Sequence, residues 1–191
     1  MQIVYGRHVA AEAAVAQCAA QMGEGAAVAL VVAFCGGRHS PGRMRAALGA
    51  RFGDCPVLGG AAAGAISREG YGYSGFELIL AVFEAGDPTP AYAMTRRLAE
   101  GEHAAGEALG RQISNRLADD SVVALFYDSV AEPGAVRLHP AAPFVRGFYD
   151  GVGDRPLLVV GGGLLTDMNL DDGWVFLGDD VAKHAAIALV F

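Results

Sequence analysis

The sequence predicts an α/β domain made of duplicated strand-helix-strand-hairpin units, with mixed sheets covered by helices in a layered arrangement. Three observations predict it. The runs VALVVAF (28–34) and SVVALFY (121–127) are continuously apolar and rich in β-branched residues, as strands covered on both faces are. Each is followed by helical periodicity and then by a short apolar run that ends in glycines, Pro56-Val57-Leu58-Gly59-Gly60 in one half and Pro156 to Gly163 in the other. The halves also match at a shift of 100. Gly53, Asp54 and Pro56 return as Gly153, Asp154 and Pro156, and Leu48 and Phe52 align with Phe148 and Val152. Duplication explains this most simply, because each unit presents an apolar face that it cannot bury alone. The repeats span roughly 26–83 and 121–191 of a single domain.

Taken in order, residues 9–22 (VAAEAAVAQCAAQM) are helix formers, and Gly23 and Gly25 supply a stop. The strand AAVALVVAF (26–34) follows, then the turn GGRHSPG. A helix over 43–52 comes next, with Met44, Ala47, Leu48 and Phe52 at helical spacing. A strand enters through Pro56. Residues 71–82 read as a hairpin ending in FELILAV, with Glu77 at an exposed strand end. After the proline-rich GDPTPA (86–91), Ala105, Leu109, Ile113 and Leu117 mark one face of a helix over 102–117. The second half then runs strand 121–127, helix 144–152, strand 156–160, a GGG turn, and a hairpin from WVFL to AAIALVF.

Composition removes several classes. The longest uninterrupted apolar run, Ala26 to Cys35, is too short to span a bilayer. The start MQIVYGRH lacks a basic region followed by a long apolar one, so the expected location is the cytoplasm. A net charge of -7 disfavours nucleic acid as a partner, since phosphate neutralisation drives that binding. The clusters Arg38, Arg43, Arg45 and Arg96, Arg97 read as solvated helix ends. Three cysteines, Cys18, Cys35 and Cys55, form no CxxC pair and argue for neither a disulfide framework nor a cysteine zinc site.

Catalytic and metal motifs are missing too. GGAAAG lacks the Lys-Ser/Thr ending of a P-loop, no GxSxG occurs, and the five histidines form neither HExxH nor HxH. The histidines read as surface or capping residues. No catalytic or metal-ligating residue is assigned. The candidate site is instead the bare backbone of the two glycine turns, Gly59, Gly60, Ala61 and Gly64 with Gly161, Gly162 and Gly163. Ligands in α/β sheets bind beyond the carboxyl ends of strands, and turns without β-carbons bring N–H groups close to a small anion or carboxylate. If the units pack about a pseudo-twofold axis, these turns line one shared cleft. Cys35 and Gly36 end the first strand, Asp128 ends its counterpart, and Asp167 follows the GGG turn. Cys35 stands where a nucleophile or haem ligand would, although packing is the favoured reading. Either carboxylate suits an amine or the capping of a turn.

Taken together, VALVVAFCGG, ARFGDCPVLGGAAAGAIS, GFELILAVF and PLLVVGGGLLTDMNLDDGWVFLGDDVAKHAAIALVF resemble the FIST N-terminal domain, and the resemblance covers nearly the whole chain. It implies a non-catalytic sensory domain of bacterial signal transduction that binds a small molecule, an amino acid being the usual proposal. The family's turn usually reads GCSTAGEI. Here Gly59 to Ile66 keep the glycines, while alanine replaces the hydroxyls and the acid, which leaves backbone groups to do the recognising. The resemblance further implies a companion C-terminal or output domain, which this chain, ending at Phe191, is expected to lack; it reads as either a fragment of a longer receptor or a solitary version, and an uncovered last apolar strand would favour the fragment. No cofactor is expected. The alternatives are a haem-based nitric-oxide sensor with a histidine or Cys35 as axial ligand, and, ranked last, a hydrolase-like enzyme using Cys35 or Asp128.

Overall fold

The computed structural model describes residues 1–23, 27–68, 70–135, 137–153 and 155–191. The expected helix stop at Gly25, strand start at Ala26 and repeat position Asp154 lie outside the described residues. The elements in chain order are β1 (Gln2–Arg7), α1 (Ala11–Ala19), β2 (Val28–Gly36), α2 (Pro41–Phe52), β3 (Val57–Ala62), β4 (Ala65–Ser67), β5 (Gly70–Gly72) and β6 (Glu77–Glu84). The second half follows with β7 (Ala91–Thr95), α3 (Glu102–Ile113), β8 (Val122–Asp128), β9 (Val130–Glu132), β10 (Arg137–Leu138), α4 (Ala141–Val152), β11 (Leu158–Leu164), β12 (Val175–Gly178), β13 (Asp180–Ala182) and β14 (Ala186–Val190).

Two mixed sheets face each other, with the order β1-β6-β2-β3-β12-β13 in one and β11-β8-β14-β7 in the other. Their inner faces share a core of Leu30, Val32, Leu58, Val175, Ile187 and Leu189, and Phe34 meets Phe126 edge to face at 4.9 Å. Helices α1 and α2 cover the outer face of the first sheet through Val15, Cys18, Met44, Leu48 and Phe52. Helices α3 and α4 cover the second through Leu109, Ile113, Phe144 and Phe148. The layers are therefore helix, sheet, sheet, helix. A small residue every fourth position lets α3 and α4 touch backbone to backbone: a β-carbon on Gly106 or Gly110 would overlap the Phe144 or Phe148 carbonyl, and one on Gly147 or Gly151 would overlap the His103 or Glu107 carbonyl.

Within each sheet the pairing has the same pattern. β2 runs parallel to β3 and antiparallel to β6, with β1 outside; β8 runs parallel to β11 and antiparallel to β14, with β7 outside. Helices α2 and α4 end at equivalent glycines of positive φ, Gly53 at 75° and Gly153 at 87°, a conformation that favours glycine.

Several expected elements change. The glycine-rich segments are strands, not turns, since β3 runs through Ala62 and β11 through Leu164. Residues 71–82 are no hairpin: β5 pairs with β4, while β6 pairs with β1 and β2. Likewise β12 pairs with β13, and β14 lies in the other sheet between β8 and β7. That last strand is interior and fully buried, so it is not an uncovered edge. Helices α2 and α4 each start earlier than their apolar spacing suggests, at Pro41 and Ala141. Proline at a first helical position needs no N–H partner. Strands β1 and β7 had no sequence expectation, being short runs next to polar turns.

Candidate functional site

The carboxyl ends of β2, β3, β8 and β11 meet, as a shared site requires, but the space between them is filled. A β-carbon on Gly37 would overlap Thr166, one on Gly60 would reach Leu164 and the Trp174 carbonyl, and one on Gly173 would overlap Asp128. Ser129 Oγ donates to the Leu164 carbonyl at 2.8 Å. Gly59, Gly60 and Ala61 are buried beneath β12, whose Phe176 pairs with Gly59 and Val175 with Gly60. Cys35 and Gly36 are buried as well, and a β-carbon on Gly36 would overlap the Gly75 backbone. Gly64 is half-buried against Tyr73, and Asp167 caps its own loop by accepting the Asn169 N–H at 2.9 Å.

The second glycine strand is different. Gly161, Gly162 and Gly163 are exposed, and β11 ends its sheet. Behind it lies a hollow of about 320 Å³ between strand and helix. The glycines form one wall, Leu125 and Tyr127 the floor, and Phe144, Val145 and Tyr149 of α4 the far side. Tyr127 packs its ring 5.1 Å from Phe144, and burial raises its phenol pKa. The recess is lined mostly by apolar groups. Of the expected site residues, only Gly161 to Gly163 open onto it. The helix residues were not foreseen, because nothing in amphipathic spacing separates a lining Val145 or Tyr149 from any other flank of a core face.

A second cluster holds the expected Asp128 together with Glu102, His139 and His184, which were not foreseen. Asp128 is fully buried; its two oxygens accept the N–H groups of Val130 at 3.1 Å and His184 at 2.8 Å, and burial raises its pKa against those bonds. His184 is held at φ 51°, an unusual conformation for a residue with a side chain. His184 Nδ1 lies 3.0 Å from His139 Nε2, and His139 Nδ1 lies 2.8 Å from Glu102 Oε1. The Glu102 carboxylate only accepts, so His139 Nδ1 donates to it. That bond lowers the Glu102 pKa. These groups border a recess of about 350 Å³ that also includes Gly101 and Arg137.

His39 stands 100 residues before His139. Its Nε2 donates to the Phe76 carbonyl at 3.2 Å, and burial lowers its pKa. His39 and His139 are thus interior residues, contrary to expectation, and the shift of 100 that relates Gly53 to Gly153 was the signal available. Glu77 is likewise buried, at 1% exposure, and takes hydrogen bonds from Ser74 Oγ and the N–H groups of Ser74 and Gly75. Among the described residues, no three His, Cys, Asp or Glu side chains are grouped to hold a metal ion, and no helix is long and apolar enough to cross a membrane.

Two facing mixed sheets with helices outside define a layered α/β sandwich. The FIST N domain matches residues 29–191, and the chain belongs to that family. FIST N domains are in general sensory domains of signalling proteins. No curated protein matches the chain.

Proposed function

We propose that this domain is a non-catalytic, cytoplasmic sensor that takes a small molecule into the hollow between α4 and β11, and that a companion C-terminal or output domain reads its occupancy. The carrying observation is the hollow itself, open along Gly161 to Gly163 and walled by Tyr127, Phe144 and Tyr149. Its volume suits one amino acid with a large apolar side chain. The aromatic walls favour a planar group, and the strand's outward N–H groups favour a carboxylate.

Cys35 adds nothing to this reading. It lies at 0% exposure among Val31, Met44 and Leu78, and burial raises its thiol pKa, which suits neither a nucleophile nor an axial haem ligand.

Thermal denaturation with the amino acids and related metabolites tests the proposal. A ligand at a hundred times its dissociation constant stabilises by about 2.7 kcal/mol, a shift of roughly 5 to 10 °C for a chain of this size. A flat response across the set, with folded protein, counts against it. A Soret band after haem titration would favour the haem sensor instead.

A further inference from the structure

Strand β11 is paired on one side only. It lies parallel to β8 from Leu158 opposite Val122 to Leu164 opposite Asp128, and nothing among the described residues pairs with its other edge. Its counterpart β3 is not an edge. There β12 runs antiparallel along the outer side, from Val57 opposite Gly178 to Gly60 opposite Val175, and the Ala61 N–H donates to the Trp174 carbonyl at 3.1 Å. The consequence is visible in exposure: Leu58 is at 0%, whereas its counterpart Val160 is at 49%.

Gly161 stands opposite Leu125 as Gly59 stands opposite Ala33. Val159, Gly161 and Gly163 therefore hold the places of Val57, Gly59 and Ala61, the alternate residues whose main chain faces β12. Natural edge strands are usually blunted by lysine, proline or a bulge, and Leu158 to Leu164 has no lysine or proline and pairs in unbroken register. The hollow has a counterpart as well. On the α2 side of the first sheet, Phe176 of β12 and Trp174 just before it meet edge to face at 4.9 Å and pack in one core with Met44, Leu48 and Phe52.

We infer that β11 receives one antiparallel strand of a partner polypeptide with large apolar side chains, aromatic by preference, at two alternate positions. The strand's main chain pairs with Val159, Gly161 and Gly163, and its two side chains enter the hollow as Trp174 and Phe176 enter the core beside α2. This rests on the hollow being the recognition site and extends its ligand class from a free amino acid to an extended peptide. A copy of β11 itself does not meet the requirement, since two of its three corresponding residues are glycine.

The probe is a peptide of residues 172–179, DGWVFLGD, titrated into isotope-labelled protein and followed by amide NMR. The expected result is saturable shifts at Val159 to Leu164 and at Phe144 to Tyr149. A peptide with Trp174→Ala and Phe176→Ala binds at least about tenfold more weakly. In the protein, Val145→Trp fills the hollow and weakens binding by a similar factor; if that variant fails to fold, the alanine peptide still decides. Shifts confined to β3 and α2 would mean that the peptide displaces β12, and would overturn the inference. So would self-association without peptide that Tyr71→Ala abolishes, because a second copy's exposed β5 would then be the occupant. Free aromatic amino acids shifting the hollow while the peptide does not would overturn this inference alone. Silence from both would overturn the binding site as well.

Discussion

Gly161 lies so close to Leu125 that a β-carbon on it would overlap the Leu125 carbonyl oxygen, and Gly59 stands in the same relation to Ala33. Both glycines have positive φ, 137° and 113°, at the same place in a parallel strand pair. Alanine at either site meets a steric clash with backbone and a disfavoured dihedral together. Gly161→Ala and Gly59→Ala should each destabilise by about 2 to 4 kcal/mol in urea unfolding. Gly162→Ala is the control. Its β-carbon would meet nothing within 4 Å, so its change should stay within about 0.5 kcal/mol. Equal effects at 161 and 162 would show that sheet propensity, not the approach to Leu125, is being measured.

Glu77 should set part of the acid stability. Burial alone would raise its pKa, but the bonds from Ser74 Oγ and the Ser74 and Gly75 N–H groups outweigh it, and the carboxyl titrates below its ordinary 4.5. A lowered folded pKa means that the contribution is present above about 4.5 and is lost as pH falls through the folded value. Glu77→Gln should cost roughly 2 to 3 kcal/mol at pH 7 and flatten the fall in stability below pH 4.5. Ser74→Ala should narrow the same window without removing it. Unfolding curves collected every half unit from pH 3 to 7 check this, and a variant whose curve parallels wild type would remove Glu77 from the account.

The repeated strand and helix pattern was readable because burial on both faces leaves a run of apolar residues, and β2 and β8 carry such runs. Exposed or edge elements leave weaker traces, which is why β1 and β7 had none. Glycine misled at β3 and β11. Runs that read as turns are strands whose neighbours come too close for side chains, as Leu125 does to Gly161. The assignment of β14 to the second sheet depends on contacts between residues about 60 apart, such as Ala186 with Tyr127, which no local pattern carries. The hollow was legible only in its glycine wall. Its other side is a flank of α4, and its emptiness follows from an absent strand, not from any residue present.

Trp174 fills in the first half a space comparable to the one left open in the second, so removing it should create a matching recess. It is 3% exposed and packs on Phe176. Trp174→Ala should cost about 3 to 5 kcal/mol, a drop near 10 °C in calorimetry. The new cavity is walled by apolar groups, and indole at millimolar concentration should recover part of the loss, as a dry apolar cavity takes an apolar guest. Full destabilisation without rescue would indicate that β12 leaves β3 altogether when its aromatic anchor is lost.

All three thiols should be silent in the folded protein. Burial pushes Cys18 up to about 12 and Cys35 further, and it also raises Cys55, although the nearby Arg45 acts against it. Cys18 and Cys35 are at 0% exposure and Cys55 is at 8%. Because the thiolate is the reactive form, an aromatic disulfide reagent at pH 8 should label none of them within minutes, while urea above the unfolding midpoint should release all three. Under native conditions the order of slow labelling should place Cys55 first, since fraying at the end of α2 exposes it without global opening. Cys18 of α1 and Cys35 of β2 lie in the one core between the first sheet and its helices and become accessible only when that layer opens, so their rates should fall together as stabilising salt is added. Rapid stoichiometric labelling of Cys35 in folded protein would contradict its burial and reopen the case for a reactive thiol at the end of β2.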